Sequence, residues 1–118
     1  RWLSEGWLDV VTPMVYYEKA SQVQSAVQQL MQLCGECYCY TGLYATYHSQ
    51  SPQDLYDQIV ASQNAGADGF VLFDSAKTFF QSANDYASVL QNMSKGAVPH
   101  ALTKQDVRDV LDGVVQAA

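Results

Sequence analysis

Basic residues are scarce in this chain: six Lys and Arg stand against twelve Asp and Glu, for a formal charge of −6. A nucleic-acid surface needs clustered cations that displace counterions, and no basic cluster occurs, so no nucleic-acid partner is expected. Long apolar runs are missing as well. Nothing approaches the roughly 18 to 20 consecutive apolar residues of a membrane-spanning helix, so neither a membrane span nor a signal peptide is predicted. The acidity disfavours an anionic membrane surface, fits a neutral, cationic or sugar-like ligand, and fits plain solubility equally. Histidine is limited to His48 and His100, and cysteine to Cys34, Cys37 and Cys39. Structural zinc is normally four-coordinate and neither histidine stands at a finger-like spacing, so no metal site is expected. Cys34 and Cys37 have the spacing of a redox pair, but such a pair belongs at a helix N-terminus, where the dipole lowers a thiol pKa, and Cys34 closes a predicted helix. The three thiols read as small buried hydrophobes. No glycine-rich phosphate loop follows a strand, and no nucleophile elbow or paired-His motif occurs, so nucleotide chemistry and a cofactor are not expected.

What the sequence does hold is one design repeated three times. Residues 9–16, 37–44 and 69–74 are β-branched and aromatic runs, and helical periodicity fills the stretches between them. Alternating strands and helices imply parallel pairing in an α/β fold. The first helix is predicted over 19–34, with Val23, Val27, Leu30, Met31 and Cys34 on one face and Gly35 as its stop. The second has Ser51 as N-cap, Pro52 at the first helical position and Asp54 able to reach back, ahead of Leu55, Ile59 and Val60. A third is predicted over 84–95 through Tyr86, Val89, Leu90 and Met93. A last helix starts at Thr103, with Asp106 as capping partner and Val107, Val110, Leu111, Val114 and Val115 on one face. That stripe packs within the chain, covers an exposed edge or joins a second copy. The predicted organisation is a βα domain over 1–98 and an appended helix over 99–118.

At 118 residues and 48% apolar composition the chain can bury one core. Three βα units fall short of a complete eight-stranded barrel, which takes about 250 residues. The chain begins with Arg1 and enters Trp2, Leu3, Trp7 and Leu8 at once, and is expected to belong to a larger domain.

Ligands of parallel sheets gather outside the carboxyl ends of the strands. There the first strand delivers Tyr16, Tyr17 and Glu18, the second Tyr44, Tyr47 and His48, and the third Phe73, Asp74 and Ser75. Asp9 and Asp68 precede their strands and read as turn caps. Hydroxyl-bearing aromatic platforms beside a carboxylate suit a sugar, whose CH faces pack on rings while its hydroxyls need directional partners. Tyr16, Tyr44, Tyr47, His48 and Phe73 are the candidate binding residues; core packing with a wet hydroxyl is the competing role for the tyrosines. Glycosidic hydrolysis generally requires two carboxyl groups, and Glu18 and Asp74 are the pair on hand.

These residues carry a resemblance. Trp2 and the run from Gly6 to Tyr16, then Thr41, Gly42, Leu43 and Tyr44, then Gln58 and Ile59 through Gly66 to Asp74, resemble the final third of bacterial family-10-like glycosyl hydrolases, over residues 2 to 76. Pro13 and Tyr16 match a Pro-x-x-Tyr strand, Gly42 and Tyr44 a Gly-x-Tyr, and Gly69, Phe70 and Phe73 a Gly-Phe-x-x-Phe. Met14 stands where many such relatives carry Gln, which removes a sugar hydrogen bond. The resemblance implies strands six to eight of a (β/α)8 barrel, a glycan or oligosaccharide ligand, and a parent protein that is secreted or at the cell envelope. The earlier strands would supply further acids, so the isolated chain is expected to be inactive. The alternative is a self-associating half-barrel without catalysis, in which a homodimer pairs the open sheet edges. A small thiol-dependent protein built on the three cysteines is the third reading.

Overall fold

A computed structural model of the protein describes residues 1–45, 50–74, 78 and 85–93. The predicted last helix, and the division proposed at residue 98, lie outside the described residues. The order is β1 (Val10–Val11), α1 (Ala20–Cys34), β2 (Tyr38–Tyr44), α2 (Pro52–Asn64), β3 (Gly69–Phe73) and α3 (Tyr86–Asn92). The three strands form one parallel sheet in the order β1-β2-β3. Among the described residues this is an α/β fold with three helices.

Each helix is set by its ends. Ser51 Oγ accepts the Asp54 N–H at 3.2 Å, and Asp54 Oδ2 accepts the Ser51 N–H at 2.7 Å, with Pro52 in the first turn. This is the predicted capping box, and it ties off two N–H groups that the helix itself leaves without acceptors. Gly66, at φ 99°, turns the chain away after α2. α1 begins after Lys19, whose N–H is taken by Gln22 Oε1 at 3.2 Å, and Gly35 follows its last residue at φ 58°. α3 starts at Tyr86 rather than at 84, because Asp85 caps it by accepting the Ser88 N–H at 3.0 Å.

One correction concerns the first strand, expected to run unbroken over 9–16. Its regular part is Val10–Val11, with a further bridge at Met14 opposite Gly42. Val10 stands opposite Tyr38 and Met14 opposite Gly42, so the register is kept across the interruption. The cause is Pro13. The main-chain groups that reach β2 belong to alternate residues, Asp9, Pro13 and Val15. Proline's missing N–H therefore falls on the bonded side of the strand and opens the ladder there.

Strand alternation divides the sheet into two faces. Leu43, with Phe70 and Leu72 of β3, packs into a core with Val15, Val23, Val27, Leu55, Ile59 and Tyr86, so the three helices share one side. This follows from right-handed crossovers in sequential strand order, which deliver successive helices to the same face. The alternate residues form rows on the other face. One row is Met14, Gly42 and Val71, and the next along the strands holds Tyr44 and Phe73. That side is open: Met14 is 77% exposed, Val71 46% and Phe73 51%.

Candidate functional site

The carboxyl ends of the strands bring three of the predicted side chains together. Register sets Tyr44 opposite Phe73, and their rings meet edge to face with centroids 5.4 Å apart. Tyr16, two residues past the Met14 bridge, meets Tyr44 edge to face at 5.5 Å and lies 6.3 Å from Phe73. These separations lie in the range where the positive edge of one ring meets the negative face of another. The result is one aromatic patch built across three parallel strands, half-buried at the tyrosines and open at Phe73.

Carboxylates flank the patch in sequence. Asp74 follows Phe73 directly, is half-buried, and its carbonyl oxygen accepts the Thr78 N–H at 3.0 Å. The peptide bond between Phe73 and Asp74 is cis. Glu18 lies two residues beyond Tyr16 with an exposed side chain. Tyr47 and His48, the other predicted members, lie outside the described residues.

The segment carrying Tyr16 and Glu18 is held from the helix side. Gln58 Nε2 on α2 donates to the carbonyl oxygens of Tyr17 at 2.8 Å and Glu18 at 3.3 Å. Gln50 Nε2 donates to the same two oxygens at 2.8 and 3.1 Å. The Tyr86 hydroxyl, buried on α3, donates to the Gln50 carbonyl. The sequence reading missed both glutamines. The signal was present at Gln58, a polar residue on the same helical stripe as apolar Leu55 and Ile59, because a buried amide must find partners.

The opposite end of the sheet is built differently. Asp68 Oδ2 accepts the Cys39 N–H at 2.8 Å, and the Asp68 N–H is taken by the Cys39 carbonyl at 2.9 Å, so Asp68 ties β2 to the start of β3. A hollow of about 560 Å3 at this end is lined by Glu5, Asp9, Glu36 and Tyr38 among others, and Glu5 is engaged by Arg1 at 3.0 Å. Cys34 and Cys39 are buried and Cys37 half-buried, all as free thiols. Burial, aided by the neighbouring Cys39, pushes the Cys34 thiol up to about 11, and burial raises Cys37 and Cys39 as well. Cys34 and Cys39 thus sit as small buried hydrophobes, whereas Cys37, expected to be buried with them, is half-buried because it lies in the turn between α1 and β2. Among the described residues no three His, Cys, Asp or Glu side chains are grouped to hold a metal ion, and no helix is long and apolar enough to cross a membrane.

Compared with known proteins, the chain matches no family model, no curated protein and no solved structure.

Proposed function

We propose that this chain forms one wall of a carbohydrate site in a glycoside-hydrolase-like (β/α)8 barrel, and that its ligand is a glycan or oligosaccharide. The observation that carries this reading is the patch of Tyr16, Tyr44 and Phe73 at the carboxyl ends of three parallel strands. An exposed ring offers a flat apolar surface to a sugar's CH face, and the two phenolic groups add directional polar atoms. Asp74, next to Phe73, is the candidate acid, with Glu18 as its partner across the patch. Hydrolysis by such a pair requires the carboxyl groups to stand roughly 5 to 9.5 Å apart.

The barrel reading is supported by the one-sided sheet. A doubly wound sheet reverses its strand order and carries helices on both faces. Here the order is sequential, the helices share one face, and the other face presents Met14, Val71 and Phe73 in rows. Consecutive units of a (β/α)8 barrel have this arrangement, with the bare face turned to the interior and filled by layers of side chains from facing strands. Among the described residues no facing strand supplies further acids, so these units bind without hydrolysing.

Titration with β-1,4-linked tetramers of glucose and of N-acetylglucosamine tests this, read by NMR of ring-labelled tyrosine and phenylalanine. Saturable shifts at Tyr16, Tyr44 and Phe73 with a Kd on the order of 1 mM, about −4 kcal/mol, are expected, and Tyr44→Ala abolishes them. Rings unmoved by any of these saccharides at several times that concentration refute the reading.

A second reading draws on the same bare face. Among the described residues no strand pairs with the outer edges of β1 and β3. Parallel sheets are covered on both faces, and unpaired edges invite pairing, so two copies closing on each other would satisfy both needs. Light scattering on the titration samples separates the two: a mass of two chains that persists on dilution, with silent rings, favours the dimeric module.

A further inference from the structure

The site's support is more specific than ordinary core packing. Gln58 is 1% exposed and Gln50 5%. Each amide nitrogen carries two hydrogens, and each carbonyl oxygen of Tyr17 and Glu18 has two lone pairs. Both amides reach both carbonyls, at 2.8 and 3.1 Å from Gln50 and at 2.8 and 3.3 Å from Gln58. Four donors meet four acceptors, and the two carbonyls are saturated from one side. The segment between β1 and α1 is irregular, so no helix or strand neighbour supplies these bonds. The Tyr86 hydroxyl in turn fixes the Gln50 main chain, which links α3 to the same point.

We infer that Gln50 and Gln58 are positioning residues of the candidate site, setting Tyr16 on one side and Glu18 on the other from behind the sheet; this rests on the carbohydrate-wall reading given above. The Tyr17 carbonyl is one residue from Tyr16, whose ring meets Tyr44 edge to face. An edge-to-face contact depends on both distance and tilt, so a shift of that carbonyl carries the ring out of register with its partner. The Glu18 carbonyl belongs to the second candidate acid itself, an exposed residue. The clamp therefore acts through the main chain, at Glu18 itself and one residue beyond Tyr16. A ring and a carboxylate placed by a rigid neighbour bind a sugar without having to order themselves first.

Gln58→Leu removes both of one amide's donors at similar volume, and Ile59→Val, on the same helix and in the core, is the control for lost stability alone. Two readouts are taken: the near-ultraviolet circular dichroism contributed by the Tyr16–Tyr44 pair, defined by its loss in Tyr16→Leu, and the Kd for the tetrasaccharides. Gln58→Leu is expected to lose the pair signal and to raise Kd about tenfold, the scale of one neutral hydrogen bond's worth of positioning. Ile59→Val keeps both. If Gln58→Leu does not fold, Gln50→Leu, which leaves Gln58 in place, is read in its stead. A folded glutamine variant that keeps the pair signal and holds Kd within twofold overturns the inference. If the parent chain binds no tetrasaccharide while the pair signal still depends on Gln58, the carbohydrate reading fails and the positioning of Tyr16 stands.

Discussion

Gly42→Ala is the sharpest perturbation the fold offers, because its sign is at stake. Gly42 is buried in the central strand, with an ordinary strand φ. At such a site alanine normally stabilises by about 0.4 to 1 kcal/mol, since the unfolded chain loses freedom. Here a Cβ would stand 2.8 Å from the Pro13 carbonyl oxygen and 3.5 Å from the Met14 Cα, both main-chain atoms that no side-chain rotation can move aside. β1 must therefore shift away from β2. The bonds that hold it there are Gly42 N–H to the Pro13 oxygen at 2.9 Å and Val15 N–H to the Gly42 oxygen at 2.8 Å. Overpacking strain costs about 1 to 3 kcal/mol, and each weakened bond up to about 1 kcal/mol more. The entropic gain offsets only part of this, leaving a net loss of about 2 kcal/mol, or about 8 °C in Tm for a chain of 118 residues. Urea unfolding followed by fluorescence should show a lower midpoint at an unchanged m-value, with faster hydrogen exchange at the Val15 amide. A midpoint equal to or above that of the parent chain would refute the close approach of β1 to β2.

Two further predictions concern the helix cap and the thiols. Hydrogen bonds from the Ser51 hydroxyl and N–H hold the Asp54 carboxyl below its usual range. A depressed folded pKa gives stability that is present above the unfolded value of about 3.9 and is lost as pH falls through the folded value. Ser51→Ala should cost about 1 kcal/mol at pH 7 by urea unfolding. The gap between the parent chain and Asp54→Asn should close as pH falls below 4; because Ser88 lowers Asp85 in the same direction, that gap isolates Asp54, and an unchanged gap at pH 3 would sink the assignment. In the folded chain at pH 8, iodoacetamide should modify half-buried Cys37 first, and Cys34 and Cys39 only on unfolding, as read by mass spectrometry of peptides. Labelling of Cys34 as fast as Cys37 would contradict its burial.

What was legible in the sequence is what local chemistry decides. Ser51, Pro52 and Asp54 specify a helix start within four residues, and the structure has that cap. The three repeated strand-helix units implied parallel pairing, and the pairing is parallel. The rule that sites gather past strand ends named Tyr16, Tyr44 and Phe73 as neighbours. What the sequence does not encode locally is register. Tyr44 meets Phe73 because β2 and β3 align Tyr40 with Gly69, a fact fixed by packing of Leu43, Phe70 and Leu72 on the helices rather than by any motif. The same holds for Gly42, whose need for a missing side chain appears only once Pro13 lies across from it. Pro13 was readable as a ladder breaker, yet the β-branched run around it argued for a continuous strand, and the parity of the bonded residues decided between them.

The two ends of the sheet spend their polar groups differently, and the difference bears on the proposed site at the carboxyl end. At the amino end, Asp68 spends its carboxylate on a main-chain N–H of the neighbouring strand, so this acid serves the fold. At the carboxyl end the main chain of the site segment is satisfied by Gln50 and Gln58, which come from the helix layer. Two main-chain carbonyls of that segment thus draw on the helix layer for their partners. Strand alternation turns Phe73 to the face opposite Phe70 and Leu72, and there it stands half in solvent against two tyrosines. An exposed ring set beside exposed Val71 and Met14 on one bare sheet face is the physical reason to look for what covers it.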